Sequence, residues 1–246
     1  ICIFTAIYFF YYFLATDKNT LNPIGERHHF GKALLRVGVF SALALGIAAM
    51  LLLPAYYSLT FGKTDFSDGD FSFRAKFDLI DFFAKMFPGA YDTVRPEGLP
   101  WVYSGTISLI LLPLYFAAKK IPVREKIATG ALAFILFLSM YINTFDVLWH
   151  GGQAPNWLNY RYSFLFSFVI LLIAARALTA LQSVDYRTII AVTGILMVIV
   201  VILQKLNLSL TVNGEEREYF YDLNGVWLSL GCLAIYGILL LFLNGH

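Results

Sequence analysis

The chain has 246 residues, 59% of them apolar and only 14% charged, with a formal net charge of +2, whereas soluble globular chains carry about 25% charged residues. That balance excludes a water-soluble domain, and the basic residues lie in short segments between apolar runs, which excludes a nucleic-acid-binding patch. Cys2 and Cys232 both sit inside apolar runs, so they read as packed thiols, with no disulfide framework and no metal site.

Seven apolar runs set the expected architecture: 1–15, 33–58, 104–118, 127–145, 162–181, 188–206 and 225–243. Most have the roughly 17–25 residues that span a bilayer, where only a helix or a closed barrel satisfies its own backbone. The expected fold is all-α: a polytopic transmembrane helix bundle with about seven spanning helices, one domain over residues 1–246. The first run is short and lacks both an initiator Met and a signal-peptide flank. It reads as the cut end of a spanning helix, so the chain is expected to be an internal piece of a longer protein. Pro54 and Pro113 fall near the ends of their runs, where a helix tolerates proline or stops at it.

Basic residues give the orientation. Lys18, Arg27, Lys32 and Arg36 fall in 16–36, Lys119, Lys120, Arg124 and Lys126 in 119–126, and Arg187 beside 182–187. These segments alternate correctly for the cytoplasmic side of a membrane. The loops 59–103, 146–161 and 207–224 are then extracytoplasmic, the last being acidic with Glu215, Glu216, Glu218 and Asp222. Arg176 and Lys205, near helix ends, are expected to snorkel to the headgroups.

The long loop 59–103 holds an amphipathic helix. Apolar residues at 79, 80, 82, 83, 86 and 87 define one face, and Asp78, Asp81 and Lys85 the opposite one. It reads as an interfacial helix, either purely structural or a lid over a lipid-access cleft. The prolines and glycines of 88–105 forbid regular structure, leaving a surface loop or a binding loop in which Tyr91, Asp92 and Arg95 could meet a polar head.

Downstream, polar groups crowd between two membrane-length runs: Asn143, Asp146, His150, then Asn156, Trp157, Asn159, Tyr160, Arg161 and Tyr162. Ionisable groups at membrane depth are costly and are functional candidates. Asp146 and His150 have the spacing of acid/base partners, or they cap a helix and meet water. Arg161 could snorkel, or could grip a phosphate with its planar fork. No ligand cluster is in sight. No cofactor is therefore expected, a divalent cation being the one left open.

Three pieces together resemble the YfhO family of large bacterial membrane proteins: Pro155-Asn156-Trp157-Leu158-Asn159-Tyr160-Arg161-Tyr162-Ser163-Phe164, Phe87-Pro88-Gly89-Ala90-Tyr91-Asp92 and Tyr103-Ser104-Gly105. Leu51-Leu52-Leu53-Pro54 also fits, and the Asn159-Tyr160-Arg161-Tyr162 stretch is the specific part. The resemblance implies a GT-C-type glycosyltransferase moving a sugar from a polyprenyl-phosphate donor to a cell-envelope polymer such as lipoteichoic acid. It also implies a catalytic carboxylate in a first outer loop that this stretch does not contain. Expected partners are membrane lipids, the lipid-linked sugar and a teichoic-acid-type acceptor. Substrate-binding candidates are Arg161, Asn156, Asn159, Tyr160, Tyr162, Tyr91, Arg95, Lys85 and His150, while Asp92 and Asp146 are the carboxylates that could act as a base. The competing readings are a lipid or lipid-linked-sugar flippase and a non-catalytic scaffold.

Overall fold

The structure, a computed structural model, describes residues 2–16, 26–62, 69–91, 93, 98–153, 158–206, 209–212, 215–218 and 223–245. Among them are nine α-helices: α1 (Cys2–Ala15), α2 (Glu26–Gly62), α3 (Leu79–Ala84), α4 (Thr106–Ala117), α5 (Val123–Tyr141), α6 (Asn143–Trp149), α7 (Ser163–Thr179), α8 (Tyr186–Lys205) and α9 (Leu223–Gly245). A short antiparallel hairpin, β1 (Ser209–Val212) with β2 (Glu215–Glu218), departs from the all-helical expectation. Asn213-Gly214 separates the two strands, and that dipeptide is a strong hairpin signal.

All seven apolar runs are helical, but the expectation of about seven spans holds only in part. Three helices are long and apolar enough to cross a membrane: His29–Ser58 within α2, α8 and α9. The shorter apolar helices are α1, α4 and α7. Neither proline ends its helix: α2 runs through Pro54 to Gly62, and α4 through Pro113 to Ala117. Each helix lacks there the backbone bond that a proline cannot donate. With 37 residues, α2 is about 55 Å long, well beyond a hydrocarbon core of about 30 Å.

The fourth run, 127–145, is broken. Helix α5 ends at Tyr141 and α6 restarts at Asn143, with extended Ile142 between them. No proline or glycine causes this. An extended strap, residues 69–77, supplies the backbone partners instead: Lys76 N–H donates to the Tyr141 carbonyl (2.9 Å) and Asn143 N–H donates to the Arg74 carbonyl (3.0 Å). Asn143 Nδ2 and Thr144 Oγ1 add side-chain bonds to the carbonyls of Asp70 and Phe71. A buried backbone group must find a partner somewhere, and here the strap is that partner.

Helix α4 is central, packing on α7, α8 and α9, while α5 joins α7 to α1. Ile110, Leu114, Tyr115, Leu136, Ile170, Ile173, Leu233 and Leu240 form the most enclosed part of the core. Lipid offers no hydrophobic gain for bringing helices together, so close packing and polar contacts carry the association. Tyr115 donates to Thr129 Oγ1 inside the bundle (3.0 Å). Gly237 of α9 lies so close to Thr193 of α8 that a Cβ there would sit 2.8 Å from its methyl. Gly237→Leu is therefore expected to cost about 1–3 kcal/mol through overpacking, read as a lower unfolding midpoint in detergent.

Arg124, Lys126 and Arg176 lie together at one end of the bundle. Arg124 Nε donates to the Leu14 carbonyl at the α1 C-terminus (2.6 Å), and Lys126 Nζ to the carbonyls of Phe116 and Ala118 at the α4 C-terminus (2.8 and 2.7 Å). Cations at helix C-termini meet both orphan carbonyls and the negative end of the helix dipole. Asn244 Nδ2 ties the end of α9 to the carbonyls of Leu181 and Val184 at the same end. Arg176, expected to snorkel, forms a two-pronged ion pair across to Glu125 instead (2.8 and 3.1 Å).

Candidate functional site

The opposite end is built from the strap, α3, the segments 85–91 and 98–105, α6 and the turn 158–162. Helix α3 is six residues long, shorter than expected, and its polar face is not the predicted one. Phe82, Met86 and Phe87 are buried, whereas Leu79, Ile80 and Phe83 point outward. Lys85 is turned inward and is 3% exposed, because the helix stops before it and the chain bends through Pro88-Gly89. Its Nζ donates to the Tyr91 carbonyl (2.7 Å). Asp81, half-buried, has its carboxyl raised above the usual range, chiefly by desolvation and then by the charge of Asp78.

This turn is pinned to α9. Gly89 has φ +89°, and a Cβ there would lie 3.2 Å from the Gly225 Cα. Only glycine accepts both that backbone conformation and that approach. Ser229 Oγ, which also bonds the Gly225 carbonyl, donates to the Pro88 carbonyl (3.2 Å).

Between this turn and the start of α7 lies a cavity of about 710 Å³. Ligand pockets span about 300–1,000 Å³ and combine apolar walls with a few convergent polar groups. Here the cations are Lys85 and Arg161, and Asn159, Ser163, Ser167 and Thr93 supply further polar groups. Phe87, Trp101, Tyr103, Tyr160 and Phe164 are the aromatic walls. No carboxylate among the described residues lines it. The arrangement suits an anion joined to an apolar body.

Behind the wall lies a second cluster, centred on Asp146, whose side chain is fully buried. Lys76 Nζ pairs with its Oδ2. The Tyr162 hydroxyl lies 2.8 Å from its Oδ1 and 2.6 Å from the Ser139 carbonyl, its single proton serving both acceptors. Asp146 thus stands neither at a water-facing cap nor on the cavity wall. His150 Nδ1 lies 2.8 Å from the Asp146 carbonyl, which places the ring proton on Nδ1. Its Nε2 is buried, with no hydrogen-bond partner among the described residues.

The turn itself is strained. Leu158 (φ +55°) and Tyr160 (φ +57°) both adopt left-handed backbone. For bulky residues this costs about 1–3 kcal/mol each and persists only where the surroundings over-determine it. The Tyr160 ring lies under the Lys76 ammonium (4.6 Å) and edge-on to Phe77 (5.8 Å). Tyr162 stacks on Trp149 (4.6 Å). Burial raises the Tyr160 phenol well above its ordinary range, and the Asp146 charge adds to it.

Of the residues expected from the sequence, the cavity brings together Lys85, Asn159, Tyr160 and Arg161. Tyr91 enters through its backbone, while Tyr162, Asp146 and His150 stand behind the wall. Asp92, Arg95 and Asn156 lie outside the described residues. Lys76 was missed; the signal available was that Asp146, inside an apolar run, needs a cation.

The fold and the site define a class: a polytopic α-helical membrane protein with a cationic, aromatic-walled cavity at the less basic end of its bundle. The family model for bacterial membrane protein YfhO matches residues 1–245, and the chain belongs to that family. No curated protein and no solved structure matches the chain.

Proposed function

We propose that this is a membrane glycosyltransferase of the GT-C type, with a polyprenyl-phosphate-linked sugar as donor and a teichoic-acid-type envelope polymer as acceptor. The observation that carries the reading is the cavity: among the described residues its lining has two cations, Lys85 and Arg161, and no carboxylate, among aromatic walls at the mouth of a lipid-embedded bundle. The basic segments collect at the far end, which by the charge rule is cytoplasmic, so the cavity and loops 59–103, 146–161 and 207–224 face outward.

In the proposed reaction an acceptor hydroxyl attacks the anomeric carbon, the bond from that carbon to the phosphate oxygen breaks, and polyprenyl phosphate leaves with an added negative charge. Arg161 and Lys85 stabilise that charge. Trp101 and Tyr103, both about half exposed, offer faces to the sugar ring. Both oxygens of Asp146 are engaged by Lys76 and Tyr162, so the hydroxyl proton goes instead to the outer-loop carboxylate that the family resemblance implies outside this stretch. The test is the full-length protein in lipid vesicles with a radiolabelled sugar on polyprenyl phosphate and purified teichoic acid outside. Labelled polymer is the expected product. Donor crossing the bilayer without transfer would replace this reading by the flippase.

A further inference from the structure

The buried cluster behind the cavity has a role that core packing does not account for. Arg161 lies in the chain between two buried tyrosines, Tyr160 at 3% exposure and Tyr162 at 7%. Both are held by one ion pair. Lys76 covers the Tyr160 ring at 4.6 Å and binds Asp146, and Asp146 takes the Tyr162 hydroxyl at 2.8 Å. Neither Lys76 nor Asp146 lines the cavity. The turn between the tyrosines includes left-handed Tyr160, and Ser163 N–H then donates to the Tyr160 carbonyl (2.8 Å) to start α7. The backbone on both sides of Arg161 is thus fixed from behind by groups that come from the strap and from α6.

We propose that Asp146 and Lys76 are positioning residues: from behind the wall they clamp Tyr160 and Tyr162, and so hold Arg161 in the cavity. The proposal rests on the cavity being the donor-phosphate site. A buried ion pair is a poor device for stability alone, since apolar residues of equal volume often serve as well or better. What the pair adds is direction. An ammonium over a ring face and a hydroxyl on one carboxylate oxygen fix two rings in one arrangement, and a greasy core would leave them free to repack. Release of the clamp lets Tyr160 relax to negative φ, which re-aims the residue that follows it.

The experiment uses the full-length protein in nanodiscs, with two readouts. The first needs no ligand: a spin label at position 161 (Arg161→Cys with every native cysteine, Cys2 and Cys232 among them, changed to Ser). One immobile component is expected, with a second, mobile one appearing in Asp146→Asn. Tyr162→Phe, which keeps the ring on Trp149, gives the same answer if Asp146→Asn does not fold. Identical spectra in the parent and the variant overturn the proposal, whatever the donor is. The second readout is affinity for a polyprenyl monophosphate. Asp146→Asn should weaken it about 10-fold, yet add less than about 2-fold on top of Arg161→Ala, because residues acting through one another are not additive. Full additivity assigns Asp146 to folding alone and overturns the proposal. Wild-type protein that fails to bind polyprenyl monophosphate overturns the donor reading instead, and the spin-label result still decides the clamp.

Discussion

Arg161→Ala in the full-length protein is expected to lower sugar transfer by about 10²–10³-fold, the loss typical when one preorganised donor to a developing anion is removed. The loss should fall mainly on kcat. In the proposed reaction the leaving phosphate gains charge as the glycosidic bond breaks, which would make the guanidinium worth more in the transition state than in the ground state. Arg161 is exposed at the cavity wall and contributes little to the core, so the variant should fold with an unchanged melting midpoint. Arg161→Lys should recover only part of the rate, because a point charge cannot reproduce a planar, two-pronged contact. Lys85 offers no such clean test. It is buried and bonded to the Tyr91 carbonyl, so its removal disturbs the turn as well as the charge. Steady-state transfer kinetics decide the matter: wild-type kcat in Arg161→Ala removes this residue from the site.

That Arg161 could be named from sequence follows from local crowding. Asn159, Tyr160 and Tyr162 beside an arginine, at the edge of an apolar run, are contiguous in the chain. The helices were legible for a similar reason, since a bilayer imposes a length and a composition on every spanning segment. What escaped was set by partners distant in sequence. The break at Ile142 has no local cause and depends on the strap some seventy residues earlier. Lys76 and Asp146 are likewise 70 positions apart. Lys85 was placed on the outer face of α3 because a continued helix would put it there, but the helix ends at Ala84 and the lysine turns in. Periodicity assumes that the element continues; it says nothing about a stop that tertiary bonds impose. The segments around Arg124 and Lys126 are at the end opposite the cavity, and their cations also cap helix C-termini there, so a charge bias read as topology has a structural use too.

Lys76→Met is expected to be the most destabilising single change at the less basic end, costing about 3–5 kcal/mol, the range for leaving one partner of a buried ion pair uncompensated. Asp146 is completely enclosed, whereas the Lys76 side chain keeps 18% exposure. Losing the lysine therefore strands the more deeply buried charge, leaving beside it the Tyr162 hydroxyl at 2.8 Å and the His150 Nδ1 at 3.5 Å. The reverse change, Asp146→Ala, should cost less, because Lys76 can extend toward solvent. This inequality separates an ionic clamp from simple volume loss, which would not favour either order. Joint replacement, Lys76→Met with Asp146→Leu, removes both charges together and should recover most of the midpoint lost in Lys76→Met, as apolar substitutes for buried pairs commonly do. Its transfer rate should stay low even so, since stability would return without the directed contacts that hold Tyr160 and Tyr162. Unfolding midpoints in a fixed detergent, measured beside transfer rates on the same preparations, read both quantities. A double variant that regained stability and rate together would reduce the cluster to packing.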